Sequence, residues 1–456
     1  MRRSAQVLIA VLALSACKRN GRCCDTPDCS GGSDKVVGSD VLQFRGRVPT
    51  NLLFVSIDTW RKDHLAKDTT PFLNRRANEG LVLDNHQQCS NWTLGSMTCT
   101  LAGAFDTDRG HLTRLKGTDK NRPPIPQGTP FLATWLGDSG YRTAGVTSNK
   151  FFSDKWGNDQ GYEKFTNPPG EGKRTGPKGL SFLRKLLKKD EDAPWFLHLH
   201  YSEPHAPYEA KDKYLKGLDD LEPWPENLAK KEMHYQSRAE WKDMSVGDQE
   251  LLEDHLRIRY AGGVRNTDEI VADMWTDYDE KCWMDDTLVV VWNDHGEAFW
   301  EHGAQTHAYN LTGEENDGIA FFWSKNIVPG RYDLPTSAVD LAPTLLDLYG
   351  LEIPDAITGL PIGSADPERG ILAGTIARFG AIQSITKNGY KLQYHWEDGG
   401  MRLWDRVADP DETENIYNAR KSVAHELWAE LEPEVQRMAD LVINGSPEPV
   451  WPDVTP

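Results

Sequence analysis

The residues best suited to hold a cation and act on an anion stand just beyond apolar runs. Asp58 follows NLLFVSI, and His205 closes the Ser-Glu-Pro-His segment that follows WFLHLHY. Asp294 and His295 follow TLVVVW, separated from it only by Asn293. Two carboxylates and one imidazole make a ligand set for one divalent ion. Such an ion polarises an acid ester and lowers the pKa of a coordinated hydroxyl.

A second stretch, SNWTLGSMTCTLAG (90–103), supplies that hydroxyl. A helix is expected to begin near Leu94, which makes Thr93 its N-cap. Serine or threonine is common there simply because its oxygen accepts a backbone N–H. The sharper reading makes Thr93 Oγ both metal ligand and nucleophile, with the helix N-terminus favouring an incoming anion. Spacing alone leaves both readings open.

These residues converge only if particular elements bring them together. Short apolar runs alternate with helical patterns from about residue 48, which predicts a parallel α/β sheet. The expected buried strands are 51–57, 141–148, 195–201 and 287–292, with another possible over 81–89. Continuous apolar runs of this length suit strands covered on both faces. Ligands of open α/β sheets bind beyond the carboxyl ends of the strands, where Asp58, His205, Asp294 and His295 would gather. Residues 209–255, charged and Trp-bearing, read as a helical excursion over the sheet. SAVDLAPTLLDLYG (337–350) reads as an amphipathic helix stopped by Gly350 and Pro354. Beyond about 370, short strand-like pieces and a helix over roughly 419–443 predict a small antiparallel C-terminal subdomain.

The chain has 456 residues, 38% of them hydrophobic, and a formal net charge of -18. That charge argues against nucleic acid as a partner, but a bound metal can still admit an anionic substrate. Residues 1–17 read as a secretory signal, with Leu14-Ser15-Ala16-Cys17 resembling a bacterial lipobox. An ordinary signal peptide cut nearby is the alternative. The lipobox reading makes Cys17 a lipid anchor, the sole membrane contact of an exported bacterial cell-envelope lipoprotein on the periplasmic or surface face. Residues 18–47 read as a flexible tether, 48–370 as the main domain and 371–456 as the C-terminal subdomain and terminal helix. Cys23, Cys24, Cys29, Cys89, Cys99 and Cys282 permit disulfides whose connectivity the sequence does not give.

Six segments, in order, resemble the sulfatase family of the alkaline phosphatase superfamily. SIDTWRKDHL (56–65) is similar to its opening motif and WNDHGEAFWEHG (292–303) to its second metal motif. HYSEPHAPY (200–208) resembles its Pro-His-x-Pro segment. RYAGGVRNTDEIV (259–271), VDLAPTLLDLYGL (339–351) and LWDRVADPDETENI (403–416) are similar to later signatures. The resemblance implies a central mixed, mostly parallel sheet between helices and a small C-terminal antiparallel sheet. It places metal ligands on Asp58, Asp294 and His295, with the nucleophile Thr93 as fourth. It places His205 against the substrate anion or leaving group, and His302 in a Glu-His-Gly element near the site. His200 and His307 read rather as buried, hydrogen-bonded side chains, and Arg61 and Asp63 as residues that hold the first loop together.

The chain departs from the family in two places. Sulfatases that use formylglycine need Cys-x-Pro-x-Arg, where this chain has Thr93-Leu94-Gly95-Ser96-Met97. Cys89 and Cys99 do not restore the motif, because Asn91 and Leu101 stand at the proline position. No formylglycine is therefore expected. Thr59 stands where many sulfatases carry a second Asp. Superfamily members with a threonine nucleophile include phosphodiesterases and phosphoglycerol transferases. Gly95, in place of the usual proline, is expected to loosen the turn into the helix. Trp300, between the two histidine elements, is the tryptophan expected to face substrate.

The expectation is thus a metal-dependent hydrolase of sulfate or phosphate esters, acting on a sulfated or phosphorylated small molecule or glycan. Thr93 is its nucleophile, and His205 and His302 neutralise the oxyanion or protonate the leaving alkoxide. Calcium, manganese, zinc and magnesium all remain open for the ion, since His295 replaces an Asn-type ligand. A sulfatase-fold lipoprotein that binds a glycan without turnover is the rival, and metal content separates the two.

Overall fold

The computed structural model describes residues 35–109, 124–167, 172–188, 190–208, 210–218, 241–364, 366–377 and 380–441. The expected signal segment, Cys17, most of the tether and much of the 209–255 excursion lie outside the described residues.

The four expected strands form the middle of one sheet. They are β1 (Asn51–Ile57), β3 (Arg142–Thr147), β5 (Trp195–Tyr201) and β6 (Thr287–Asn293). The 81–89 run gives two short pieces, β2 (Leu81–Leu83) and a separate His86–Gln87 pair. β4 (Lys164–Thr166), β7 (Ala320–Trp323) and β8 (Gly330–Tyr332) complete eight strands in the order β8-β2-β7-β6-β1-β5-β3-β4. β7 pairs antiparallel with β6 and β2, and the other pairings are parallel.

Successive side chains of a strand point to opposite faces, and here both faces are buried. Leu53, Val55, Leu197, Leu199, Val289 and Val291 pack on one side with Val264 and Val271 of helix α2 (Val246–Glu280). Leu52, Phe54, Phe196, Leu288, Val290 and Trp292 pack on the other. They meet Leu94, Met97 and Leu101 of helix α1 (Thr93–Ala102) and Leu345 of helix α3 (Leu341–Leu348). Each such fully buried side chain stabilises the fold by about 1.5–3 kcal/mol. The two-sided burial explains why these runs are apolar throughout. The excursion in fact leads into α2, a 35-residue helix with a Ser245 cap accepting the Asp248 N–H.

The C-terminal part is an antiparallel meander of four strands, β9 (Ile371–Ala377), β10 (Gly380–Lys387), β11 (Tyr390–His395) and β12 (Gly400–Asp405). Helix α4 (Lys421–Leu441) covers it through Leu427, Trp428, Leu431 and Val435. This is the mixed, mostly parallel α/β sheet with a C-terminal antiparallel sheet that the sequence predicts. Among the described residues no helix is long and apolar enough to cross a membrane.

The registers fix the site. Ile57 lies level with both Tyr201 and Asn293, so Asp58, Ser202 and Asp294 leave the sheet side by side at its carboxyl edge.

Candidate active site

Backbone bonds aim the first carboxylates. The Asp58 N–H bonds the Tyr201 carbonyl at 2.8 Å, prolonging the β1–β5 ladder by one residue. Thr59 then turns at φ 56, a left-handed conformation that β-branched residues rarely adopt. That turn presents its N–H to Asp294 Oδ1 at 3.1 Å, where the His295 N–H also donates at 2.8 Å. Asp294 Oδ2 is thereby left facing inward.

His295 is oriented in the same way. Its Nδ1 donates to the Gly296 carbonyl at 2.9 Å, which leaves Nε2 as the lone-pair nitrogen. Nε2 lies 3.5 Å from both Asp58 Oδ1 and Asp294 Oδ2. Burial pushes the His295 pKa down, against the opposing charge of Asp58, so the ring is held neutral. Asp58, Asp294 and His295 are all fully buried.

Asp58 Oδ1, Asp294 Oδ2 and His295 Nε2 have no hydrogen-bond partner, although buried polar atoms rarely go without one. The three ligand groups come within 4.8 Å of one another. Burial and the Asp58 charge push the Asp294 carboxyl well above its usual range. Burial raises Asp58 too, but the nearby imidazoles, His205 first and then His200, outweigh it and hold that carboxyl ionised. Two carboxylates facing each other across one gap are what a divalent cation relieves, so these residues fit a metal ion.

Thr93 is the first residue of α1, with Trp92 preceding it in an extended conformation, so the helix starts one residue earlier than expected. Asn149 joins it to the cluster. The Asn149 side-chain nitrogen donates to Asp58 Oδ2 and lies 3.3 Å from Thr93 Oγ1. The amide is itself fixed, because its oxygen accepts the Phe151 N–H at 2.6 Å.

A layer of imidazoles stands behind the carboxylates. His200 bonds Ser56 Oγ through Nδ1 at 2.8 Å and brings Nε2 to 3.8 Å from Asp58 Oδ2. The His307 ring lies between His295 and His205, with centroid distances of 4.3 and 5.2 Å. Its Nδ1 bonds Glu297 Oε1 at 2.9 Å. Glu297 is fully buried, and burial pushes its pKa up to about 7, with His205 and His295 opposing. Burial lowers the His205 pKa, but Asp58 and Glu297 outweigh it and raise it above the ordinary imidazole value.

With that geometry in place, comparison with known proteins is direct. Residues 50–351 match the family model described as Sulfatase. The chain belongs to the sulfatase family, within the alkaline phosphatase superfamily. It is 25% identical over 254 residues to a choline-sulfatase of Rhizobium meliloti (strain 1021), covering 51% of this chain and 49% of that one. It thus spans about half the length of that relative. It is 25% identical over 389 residues to the multifunctional alkaline phosphatase superfamily protein PehA of Trinickia caryophylli, covering 68% and 75% of the two chains. A solved structure of BT4656 in complex with its substrate D-glucosamine-2-N,6-O-disulfate superposes with a TM-score of 0.69 at 18% identity, over 86% of this chain and 99% of that one.

In this sulfatase-family chain the structure alters several of the sequence readings. His302 sits apart from the cluster's hydrogen bonds. Its Nδ1 pairs with Glu314 at 2.7 Å and its Nε2 bonds the Glu412 carbonyl at 3.0 Å. Burial lowers its pKa, but Glu314 outweighs that and carries it to about 9, so it is a cation clasping two carboxylate-bearing segments. Gly95 does not loosen the helix start. A Cβ there would come within 2.7 Å of the Trp92 indole nitrogen and 2.8 Å of Ser90 Oγ, so glycine is what lets that turn close. Trp300 stacks on Trp241 with centroids 3.6 Å apart and planes 9° from parallel. Arg61 pairs with Asp63 and Glu301 and donates to the Glu297 carbonyl at 3.0 Å, holding the first loop as expected.

Cys89 and Cys99 form a disulfide that brackets Thr93. Sequence reasoning missed Asn149 and Glu297. Asn149 had a signal, since it stands two residues beyond the end of β3, where the strand-end rule applies.

Proposed function

We propose that this protein is a metal-dependent hydrolase of sulfate or phosphate esters, with Thr93 as nucleophile. The observation that carries the reading is the trio of buried, unpartnered ligand atoms on Asp58, Asp294 and His295 beside the Thr93 hydroxyl. Thr93 is the fourth ligand in this reading. The ion, when bound, lowers the hydroxyl pKa and offsets charge on the transferring group.

The chain's own residues do the rest. Thr93 Oγ gives up its proton to solvent and forms a bond to the sulfur or phosphorus, and the bond from that centre to the ester oxygen breaks. His205, one imidazole ring away from His295 across His307, gives its proton to the leaving alkoxide. Water then opens the threonine ester. Asn149 steers the hydroxyl from one side, and the α1 N-terminus favours the anion from another. His302 keeps a supporting place, since both its nitrogens are engaged.

Three points support a threonine rather than formylglycine. The Cys-x-Pro-x-Arg motif is missing, and both nearby thiols are used in a disulfide. Phosphoryl transfer through a threonine ester is ordinary chemistry, and the likeness to PehA, a multifunctional alkaline phosphatase superfamily protein, favours a phosphate or phosphodiester substrate beside a sulfate one. The expected substrate is a sulfated or phosphorylated small molecule or glycan. The envelope lipoprotein anchored at Cys17 remains part of the proposal.

The deciding experiment is hydrolysis of aryl sulfate, aryl phosphate and aryl phosphodiester with calcium, manganese, magnesium or zinc after stripping. Thr93→Ala and Asp294→Ala are expected to abolish turnover while melting cooperatively. Unchanged activity in Thr93→Ala would exclude the nucleophile.

A further inference from the structure

A line of polar side chains leads from Tyr162, just before β4, through the aromatic interior to Asp58. The Tyr162 hydroxyl lies 3.0 Å from His198 Nδ1, and His198 Nε2 lies 2.9 Å from Ser56 Oγ. Ser56 Oγ lies 2.8 Å from His200 Nδ1, and His200 Nε2 faces Asp58 Oδ2 at 3.8 Å. That Nε2 is buried and has no hydrogen-bond partner. Ser56, His198, His200 and Asp58 are fully buried, and Tyr162 is half-buried at the outer end.

Packing alone does not explain these residues. Ser56 of β1 and His198 and His200 of β5 alternate with the side chains of the opposite face, so they share the face that buries Phe54 and Phe196. The Phe54 and Phe152 rings lie 5.3 and 5.1 Å from the His198 ring, and Phe152 lies 5.6 Å from His200. Apolar side chains would fill this layer without three polar groups that each need a partner. What the polar ones add is an unbroken path to a proposed metal ligand.

The ends of the path set its direction. At the inner end the Asp58 carboxylate only accepts. At the outer end burial pushes the Tyr162 pKa up, so the phenol keeps its hydrogen. Burial holds His198 well below the ordinary imidazole value, so that ring carries a single N–H. Each donor is used once when Tyr162 donates to His198 Nδ1, His198 Nε2 to Ser56 Oγ, and Ser56 to His200 Nδ1. His200 then keeps its hydrogen on Nε2, toward Asp58 Oδ2. The reverse direction would turn the Nε2 lone pair against that carboxylate. Hydrogen bonds in line polarise one another, and groups that orient a metal ligand govern the affinity of the ion.

We propose that Tyr162, His198 and Ser56 form a one-way hydrogen-bond chain that fixes His200 with its Nε2–H toward Asp58, which makes His200 a positioning residue for a metal ligand. The inference rests on the metal-dependent hydrolase reading and adds to it a determinant of metal affinity as remote as the Tyr162 hydroxyl.

The test uses the full chain stripped of metal. Manganese, calcium, magnesium and zinc are titrated calorimetrically, the ion that binds the wild type most tightly serving as the probe. Imidazole 15N NMR reads the histidine tautomers, with the His200 and His198 signals identified by their loss in His200→Gln and His198→Gln. The wild type is expected to show the Nε2–H tautomer at both histidines. Ser56→Ala is expected to weaken the probe ion about tenfold or more. Tyr162→Phe, which removes one hydroxyl at the outer end, is expected to weaken it about threefold or more and to shift the His200 tautomer. His200→Gln, which keeps a side-chain N–H, is expected to hold the ion better than His200→Leu. A purely structural role would lower melting temperatures without moving either the tautomer or the affinity. An Nδ1–H tautomer at His200 in the wild type, or affinity unchanged in either Ser56→Ala or Tyr162→Phe, would overturn the chain. No binding of any of the four ions, with the His200 tautomer still shifted by Tyr162→Phe, would instead count against the metal-dependent reading alone. No binding and an unshifted tautomer would overturn both.

Discussion

The Asn149 side-chain nitrogen lies 3.3 Å from Thr93 Oγ1 and donates at the same time to Asp58 Oδ2. One amide thus ties the proposed nucleophile to a proposed metal ligand without belonging to the ligand set. A hydrogen bond to a group that gains negative charge is worth about 1.5–3 kcal/mol. Asn149→Ala is therefore expected to lower kcat by about 10- to 100-fold while leaving metal stoichiometry unchanged. Steady-state kinetics with elemental analysis checks both. Loss of metal along with rate would mean that Asn149 serves Asp58 and not Thr93.

Asp58 and Asp294 oppose each other across the same gap, and that cost reverses sign with occupancy. Without a cation, burial and mutual repulsion push the Asp294 carboxyl well above its usual range. Removing one charge relieves the pair, so Asp294→Asn is expected to raise the melting temperature of stripped protein. With metal in hundredfold excess over its Kd, the wild type gains about 3 kcal/mol, and the variant is expected to lose most of that gain. Thermal melts of both proteins with and without metal test this crossing. Equal metal-induced gains in the two would remove Asp294 from the ligand set.

How far the sequence reveals this site depends on what kind of signal each residue leaves. Asp58, Asp294 and His295 are legible because continuous apolar runs mark buried parallel strands, and polar residues just past them lie at the ligand-binding edge. Asn149 obeys the same rule at the end of β3, yet an amide among Ser, Asn and Lys reads as an ordinary loop. Glu297 and the placement of His307 leave no such trace, since their meaning lies in a hydrogen bond between residues ten apart across a tight hairpin. Gly95 shows the limit from the other side. Its missing side chain reads as freedom in sequence, whereas in space it is a close approach to Trp92. His302 looks catalytic by motif, and only the fold shows Glu314 and the Glu412 carbonyl taking both its nitrogens.

His86 makes the fold acid-sensitive. It is buried, its Nδ1 pairs with Thr336 Oγ1 at 2.9 Å, and burial, with Lys62 and Arg369 adding to it, pushes its pKa down to about 3. In the unfolded chain the same imidazole titrates near 6.5. The unfolded state therefore binds the extra proton between those two values. Stability contributed by neutral His86 is complete above about pH 6.5 and is lost as pH falls toward 3, by at most about 1.4 kcal/mol per pH unit. Denaturation midpoints from pH 7 to 4 are expected to fall less steeply in His86→Gln than in the wild type. Parallel curves would show that other groups dominate the acid limb.

Lys391 and Glu412 form a fully buried ion pair at 2.7 Å that clasps the meander to the segment behind the site. Lys391 Nζ also donates to the Leu311 carbonyl at 2.9 Å, and Glu412 accepts the Gly313 N–H at 3.1 Å and pairs with Arg406 at 2.8 Å. Removing one member strands a buried charge, so Glu412→Gln is expected to cost about 3–5 kcal/mol in urea denaturation. Replacing both members with apolar residues, as in Lys391→Met with Glu412→Leu, removes the stranded charge and is expected to cost less than the single change. The Gly313 N–H and the Arg406 guanidinium would still lose a partner, so full recovery is not expected. The segment held this way, residues 311–313, continues into Glu315, whose carboxylate accepts the Asn91 amide at 2.8 Å. Loosening the clasp should therefore reach the nucleophile, and the double variant is expected to regain stability more fully than it regains kcat. Recovery of both in step would mean that the ion pair acts only through global stability.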